Sequence, residues 1–265
     1  MYNSLRLAGK FLRYYLTGLN SQGHGIHSPF IYDLVRNVFN DRTIYPAYQR
    51  VESLRKRLLH NRQEFTVTDF GAGSVSGNKN KRTVGSIARN AAKPPKFGQL
   101  LFRLAQYYQP SNVIELGTSL GISTSYLSLA APAATLLTME GADAVSDEAE
   151  KNFSSLGLKN VQMVRGNFDE TLQPALRSLP SIDIAFLDGN HREEPTLRYM
   201  DMLFKKATPA SIFVVDDIHW SREMEQAWQT IKQRERVRCT VDLFSIGLVF
   251  FREEFHERQH FTIRF

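Results

Sequence analysis

Acidic side chains follow two apolar runs in the second half of the chain. Asp188 follows the run Ile182–Leu187, and Asp216 and Asp217 follow the run Ser211–Val215. Each run predicts a buried strand, so we expect the three carboxylates to converge at one edge of a sheet. Like charges repel unless a cation lies among them, and Mg²⁺ or another hard divalent cation prefers carboxylate oxygens. The pattern therefore predicts a divalent-metal site made by the three aspartates.

Two histidines lie beside these aspartates in the sequence. His191 stands three residues after Asp188, where a side chain that titrates near neutral pH is suited to accept a proton from a hydroxyl. His219, two residues after Asp217, is a second candidate, as a metal ligand or a base. A structural interpretation is the alternative: Asp188 would then begin a polar turn, and Asp217 would cap the following helix.

A glycine-bearing turn follows the apolar run Val113–Leu116, which itself contains Glu115. Gly117 lets the backbone turn sharply and a ligand approach closely, and Gly121 opens the next helix. Thr118 and Ser119 lie between the two glycines. The spacing is not Gly-x-Gly-x-x-Gly, which disfavours a nicotinamide or flavin cofactor. A plain tight connection between strand and helix is the alternative.

Polar residues also end the next two predicted strands. Glu140 comes directly after Thr135–Met139, and a carboxylate at this place is suited to accept both hydroxyls of a ribose. Gly166 and Asn167 come directly after Val161–Arg165, where Asn167 is suited to meet an adenine edge. Glu140 alone would fit a solvated strand end, but the order of three polar strand ends favours a nucleoside-containing ligand.

The elements that must position these residues alternate along the chain from residue 113 onward. Such alternation of short apolar runs with helical patterns is typical of βαβ units. The five predicted parallel strands are Val113–Leu116, Thr135–Met139, Val161–Arg165, Ile182–Leu187 and Ser211–Val215. Helices are predicted over Ser123–Ala130, Ser146–Leu156, Leu172–Leu179, Pro195–Lys206 and Arg222–Arg234.

The tail has two further strand-like runs, Arg238–Asp242 and Leu248–Arg252. Their connection is too short for a helical crossover, which predicts an antiparallel pair. The predicted fold class is therefore α/β, a doubly wound, seven-stranded, mostly parallel sheet with a terminal antiparallel strand, in a Rossmann-like plan. Residues 97–265 are predicted to form this domain.

Residues 1–96 are predicted to form a helical N-terminal extension that caps the substrate. Helical spacing of apolar residues predicts helices over Leu5–Leu16, Ile31–Phe39 and Val51–His60, and another helix, Phe97–Tyr107, opens the domain. The turn-rich segment Gly71–Arg82 and the histidine-bearing segment His24–Phe30 are the candidates for contact with the substrate. A structural turn before a helix is the alternative for His24–Phe30. The run Val67–Ser74 also looks like a strand and a glycine turn, but no acid-ended strand follows it at the expected distance.

These motifs resemble the class I S-adenosylmethionine-dependent methyltransferases, especially their metal-dependent small-molecule O-methyltransferase branch. The resemblance covers about residues 97–252 and is carried by Glu115–Gly121, Glu140, Phe186–His191 and Val214–Asp217. It implies that the methionine moiety lies near Glu115 and Gly117, with the ribose on Glu140 and the adenine near Asn167. It also implies methyl transfer from the sulfonium to a hydroxyl oxygen. Asp188 would then be a metal ligand, a cofactor contact and a catalytic residue.

Two residues depart from the family pattern. His191 stands where the catechol enzymes place a lysine base, which disfavours a catechol-type acceptor. Asn167 stands where the family often has an acidic residue, so the adenine contact depends on an amide instead of a carboxylate. The resemblance therefore predicts the cofactor more specifically than it predicts the acceptor.

The distribution of charge leaves alternative functions open. The 265 residues carry a net charge of +6, and residues 50–96 hold eleven Lys or Arg against three acids. An RNA or protein methyltransferase that uses this basic segment is therefore one alternative to a small-molecule enzyme, although nucleic acid is not favoured. A noncatalytic protein that binds S-adenosylmethionine or acts as a scaffold is another, and a homodimer is left open.

The sequence also bears on location. A single cysteine, Cys239, excludes an intrachain disulfide and fits a reducing compartment. There is no clean signal sequence and no apolar span of 18 residues. We therefore expect a cytoplasmic protein without a membrane partner.

Overall fold

A computed structural model describes residues 1–23, 25–66, 81–91 and 93–265 of the chain. The chain divides into two compact units. Residues Met1–Asp41 together with Leu179–Phe265 form one, here called the split unit, and Arg42–Ser178 form the other, here called the central unit. The predicted boundary at residue 96, between an extension and a methyltransferase domain, stays a prediction.

Strands and helices alternate through most of the chain. The strands are β1 Glu64–Thr66, β2 Lys81–Thr83, β3 Asn112–Leu116, β4 Thr135–Glu140, β5 Val161–Arg165, β6 Ile182–Leu187, β7 Ala207–Asp216, β8 Cys239–Asp242, β9 Ile246–Phe250 and β10 Gln259–Thr262. The helices are α1 Ser4–Thr17, α2 Pro29–Leu34, α3 Pro46–His60, α4 Val84–Ala91, α5 Pro95–Tyr108, α6 Ile122–Ala130, α7 Asp143–Leu156, α8 Phe168–Arg177, α9 Glu193–Phe204 and α10 Arg222–Gln233.

The predicted fold class is confirmed, because eight of the strands belong to one mostly parallel sheet flanked by helices. In the central unit the strand order is β3-β4-β5, all parallel, with Glu115 opposite Thr138 and Glu140 opposite Arg165. The carboxyl ends of these strands therefore lie side by side, which is the edge where α/β sheets bind ligands. Strands β1 and β2 form a separate antiparallel pair.

In the split unit the strand order is β10-β8-β9-β7-β6. Strand β9 runs antiparallel to both β7 and β8, so the predicted antiparallel pair near the C-terminus is confirmed. Strand β10 runs parallel to β8 and adds an eighth strand to the predicted seven. Its residues, Gln259–Thr262, are exposed or half-buried, so they lack the apolar run by which the other strands were predicted.

The N-terminal residues of the split unit pack on its C-terminal part. Asn3 caps α1 by accepting a hydrogen bond from the backbone N–H of Arg6 at 2.9 Å. The Tyr14 hydroxyl donates to the carbonyl of Ile263 at 2.5 Å. The ring of Phe30 makes an edge contact with that of Phe250, with centroids 5.0 Å apart. These contacts give the N-terminal helices a defined place within this unit.

Two predicted elements have different bounds in the structure. The single helix expected over Ile31–Phe39 is α2 followed by a π-helical turn, Val35–Phe39, which apolar spacing does not distinguish from an α-helix. Strand β7 begins at Ala207 instead of Ser211, because a bulge lets the chain pass Pro209 while the strand stays paired with β6. Among the described residues, no helix is both long and apolar enough to cross a membrane.

Candidate functional site

The turn after β3 holds two glycines in backbone conformations that other residues rarely adopt. The φ angle is +103° at Gly117 and +79° at Gly121. The backbone N–H groups of Gly117 and Thr118 both donate to the carbonyl of Met139 on β4, at 3.0 Å each. A Cβ at Gly121 would lie 2.4 Å from the ring of Phe153. Gly121 is therefore required both for the turn and for close packing of α7.

Glu140, at the end of β4, is oriented by two backbone donors. Its Oε2 accepts from the N–H of Ser119 at 2.9 Å, and its Oε1 accepts from the N–H of Ala142 at 3.0 Å. Ser119 has a φ of +48°, unusual for a residue with a side chain. The carboxylate thus links the glycine turn to the end of β4, in a fixed orientation suited to hydroxyl donors.

Glu115 is fully buried and accepts hydrogen bonds from two threonine hydroxyls. Thr138 donates to its Oε2 at 2.6 Å, and Thr124 on α6 donates to the same oxygen. The hydroxyl oxygens of Thr118 and Thr138 are 2.6 Å apart. Because the Thr138 proton is directed to the carboxylate, Thr118 donates to Thr138. A chain of hydroxyls therefore connects the glycine turn to Glu115.

Gly166 and Asn167 follow β5 at the same edge of the central unit. Gly166 has a φ of +118°, and its N–H donates to the carbonyl of Glu140 at 2.9 Å. The side-chain oxygen of Asn167 accepts from the N–H of Asp169 at 3.1 Å and caps α8. The N-cap hydrogen bond therefore accounts for the position of the Asn167 side-chain oxygen without a ligand. The adenine contact of Asn167 stays a prediction.

In the split unit, Asp188, His191 and Asp216 form a group that could hold a metal ion. One potential ligand atom from each residue lies within 4.8 Å of the others. Asp188 directly follows β6 and Asp216 ends β7, so the parallel pairing of these strands brings the two carboxylates together. Asp216 is fully buried, and His191 Nε2 lies 3.4 Å from Asp188 Oδ1.

The third residue of the predicted trio of aspartates, Asp217, also lies next to His191. Asp217 lies on the other side of the imidazole, with its Oδ2 3.9 Å from His191 Nδ1. His191 and Asp217 have positive φ angles of +36° and +54°, and the N–H of Asp217 donates to the carbonyl of Ser245 at 2.7 Å. Such backbone conformations cost about 1–3 kcal/mol each and are concentrated at functional sites.

His219 belongs to a different cluster in the split unit. Its Nε2 lies 2.7 Å from Asp242 Oδ2, and its Nδ1 lies 3.1 Å from Glu225 Oε1. Burial by itself lowers the pKa of His219, but hydrogen bonds and charges from these carboxylates outweigh it, so the pKa is raised. Glu225 also accepts from Tyr2 and Lys10 at 2.7 Å each. Nδ1 therefore contacts Glu225, which links α10 to α1, and Nε2 contacts Asp242 at the end of β8.

Comparison with known proteins gives a consistent result. The family model for a methyltransferase domain matches residues 114–218. This stretch of the chain is therefore similar to a methyltransferase domain. The predicted resemblance is thereby confirmed, and the matched residues include the turn after β3, Glu140 and the Asp188–Asp217 region.

One relative is a catechol O-methyltransferase from Niastella koreensis, 28% identical over 127 residues, which cover 47% of this chain and 57% of that protein. The chain thus spans little more than half the length of this relative. Among solved structures, the SAH-bound methyltransferase PaMTH1 from Podospora anserina has a TM-score of 0.59, 12% identity and coverage of 96% of this chain and 98% of that one.

A second solved structure is the O-methyltransferase TomG from Streptomyces achromogenes, determined in complex with SAM. Its TM-score is 0.54 and its identity is 20%, over 62% of this chain and 82% of that one. At this identity the structural likeness shows the fold.

Sequence reasoning missed two side chains in the region that matches the methyltransferase model, Thr124 and Thr138, whose hydroxyls donate to Glu115. A signal was present for Thr138, because it is a polar residue inside an apolar strand, as Glu115 is in the neighbouring strand. The strand register places the two opposite each other. Trp220 was also missed as a neighbour of the metal-binding candidate, with its ring 5.8 Å from that of His191.

Parts of the segments predicted to contact the substrate lie outside the described residues, namely His24 and residues 71–80 of the turn-rich segment. The run Val67–Ser74, for which the sequence left substrate contact or a structural loop open, lies outside them as well. In the basic segment, Arg50 donates to the carbonyl of Leu156 and Arg57 lies 3.4 Å from the Ser155 hydroxyl. These two cations therefore have packing roles within the central unit.

Proposed function

We propose that the protein transfers a methyl group from S-adenosylmethionine to a hydroxyl oxygen of a small molecule, with the help of a divalent cation. The observation that carries the proposal is the Glu140 carboxylate, held by the backbone of the glycine turn. This arrangement suits the ribose of a nucleoside cofactor, and the methyltransferase match covers it. The relative from Niastella koreensis, a catechol O-methyltransferase, supports a hydroxyl acceptor.

The central unit would bind the cofactor. Glu140 would accept from the ribose hydroxyls, while Gly117 and Gly121 let the backbone approach the ligand. Glu115, fixed by Thr124 and Thr138, would place its negative charge near the methionine moiety. S-adenosylmethionine supplies, when bound, an electrophilic methyl group on a positively charged sulfur. Transfer to oxygen is an in-line displacement, in which positioning supplies most of the rate.

The split unit would bind the cation through Asp188, His191 and Asp216. Two carboxylates and one imidazole fit a divalent ion such as Mn²⁺, and Mg²⁺ when water completes its shell. A ligating histidine usually directs its other nitrogen to a carboxylate, which is the place of Asp217 beside Nδ1. A cation bound here lowers the pKa of an acceptor hydroxyl. In this proposal His191 is a ligand instead of the base, and His219 has a structural role.

Calorimetric titration with S-adenosylhomocysteine tests the cofactor proposal. We expect micromolar binding to the full chain and loss of at least about tenfold in affinity in Glu140→Ala, which removes the ribose acceptor. Glu253→Ala, at an exposed glutamate after β9, is the matched control and should bind as the wild type does. Absence of binding to the wild-type protein would overturn the proposal.

Titration with Mn²⁺ in the absence of cofactor tests the cation separately. Asp216→Asn should lose binding, whereas Asp201→Asn, at an exposed position on α9, should retain it. Methyl transfer to a panel of hydroxylated small molecules then tests the reaction. Cofactor binding with methylation of RNA or protein alone, or with no methylation, would replace the proposal by one of the alternatives drawn from the sequence. The cytoplasmic location remains part of the proposal, supported by the free, buried thiol of Cys239.

A further inference from the structure

Helix α1 is apolar on two opposite faces. One face packs on the rest of the split unit through Tyr14, which is 6% exposed. The other carries Leu5, Leu12 and Leu16, which are 85%, 58% and 68% exposed. At 3.6 residues per turn these leucines fall within roughly 40° of one another, about opposite Tyr14. We call Leu5, Leu12 and Leu16 the leucine face.

The leucine face is presented by a firmly held helix. The N–H of Tyr2 donates to the carbonyl of Trp220 at 3.1 Å, and Lys10 donates to Glu225 at 2.7 Å. At the other end of α1, Tyr14 bonds the carbonyl of Ile263. None of these contacts is made by Leu5, Leu12 or Leu16. A ligand can therefore cover the leucine face without displacing the helix.

The charges on α1 indicate what covers that face. Between Ser4 and Thr17 there are three cations, Arg6, Lys10 and Arg13, and no acidic residue. Arg6 and Arg13 are exposed and lie along one side of the leucine face. A second copy packed face to face would bring four guanidinium groups together with no carboxylate on either helix. An anionic surface complements the same pattern.

We propose that the leucine face and its flanking arginines dock α1 on an anionic phospholipid surface. Leucines would enter the boundary between headgroups and acyl chains while Arg6 and Arg13 contact lipid phosphates. The expectation of no membrane partner rested on the absence of a spanning segment, whereas a helix lying in the interface needs none. This docking surface lies outside the proposed cofactor and cation sites and does not depend on them.

Vesicle flotation of the full chain tests the proposal. One set of vesicles contains phosphatidylcholine alone and the other also contains phosphatidylserine. We expect at least about tenfold more binding to the anionic vesicles, with a decrease as salt is raised. The double variant Leu12→Ser with Leu16→Ser should lower binding by at least about tenfold. Ile44→Ser, at a 91% exposed residue outside α1, is the matched control and should bind as the wild type does.

Charge reversal at Arg13 measures the electrostatic contribution to vesicle binding separately from the apolar contribution. Arg13→Glu should lower anionic-vesicle binding by about tenfold, whereas Arg177→Glu, at an exposed position on α8, should change it little. Thermal unfolding checks that each variant is folded, which we expect because the substituted side chains are exposed. Equal binding to both vesicle types would overturn the proposal. A wild-type dimer in solution that the leucine variants dissociate, without vesicle binding, would instead assign the face to a second copy.

Discussion

Thr138 and Glu115 lie opposite each other on adjacent parallel strands, and the threonine hydroxyl donates to the buried carboxylate at 2.6 Å. A buried carboxylate is stable only when donors surround it. The bond therefore joins two strands and also stabilises the buried charge of Glu115. It fixes the orientation of the carboxylate that the cofactor proposal places beside the methionine moiety.

Replacement of Thr138 by valine keeps the shape of the side chain and removes this donor. We expect the free energy of unfolding to fall by about 1–3 kcal/mol, since the charged acceptor stays buried. Affinity for S-adenosylhomocysteine should fall as well. Thr135→Val, at the half-buried start of the same strand, is the control and should have little effect. Urea unfolding and calorimetry measure the two quantities, and equal unfolding midpoints for both variants would contradict the assignment.

Gly121 and Gly157 allow backbone conformation to be separated from packing. Both have positive φ, +79° and +67°, but an added Cβ would meet the Phe153 ring at Gly121 and nothing within 4 Å at Gly157. We expect Gly157→Ala to cost about 1 kcal/mol of stability and Gly121→Ala to cost about 1–3 kcal/mol more. Denaturant unfolding compares them. Equal costs would show that the ring moves aside freely.

Much of the sheet was predictable because its strands are short apolar runs bounded by turns. Ile182–Leu187 and Val161–Arg165 have the predicted bounds. Strand β10 was missed because its polar residues have no strand pattern of their own, and pairing with β8 determines it. The early start of β7 was missed because Pro209 is usually a sign of a turn, whereas a bulge accommodates it here.

The candidate sites were predictable to a similar degree. Residues at strand ends, such as Glu140 and Asp216, follow from the rule that parallel strands bring their carboxyl ends to one edge. The donors to Glu115 depend on strand register, and the place of Asp217 beside His191 depends on positive φ angles in two turns. Apolar periodicity contains no information about either, so only the structure shows them.

The pH dependence of stability provides a test of the His219 cluster. The pKa of His219 is raised above its ordinary value of 6.5, because Asp242 and Glu225 outweigh the effect of burial. The group therefore stabilises the fold fully below about pH 6.5 and loses this contribution as the pH rises through the raised pKa. The cations that interact with these two carboxylates, Lys10 and Lys232, are present in both the wild type and a His219 variant.

We therefore expect the difference in unfolding free energy between the wild type and His219→Gln to be largest at acidic pH and to shrink towards alkaline pH. Glu225 has a lowered pKa, since its bonds to Lys10, Tyr2 and His219 outweigh burial, so it stays ionised throughout this range. Urea unfolding from about pH 5 to about pH 9 measures the difference. A constant difference would mean that the imidazole contributes packing and not charge.

Trp220 gives an optical readout of the proposed cation site. Its ring meets that of His191 edge to face at 5.8 Å, whereas Trp228, the other tryptophan of the chain, is fully buried on α10. We expect Mn²⁺ to lower tryptophan fluorescence saturably in the wild type, because the paramagnetic ion would bind beside the His191 ring. Trp220→Phe should remove the change while Mn²⁺ still binds by calorimetry, and Asp216→Asn should remove both. A fluorescence change that persists in Asp216→Asn would place the cation elsewhere.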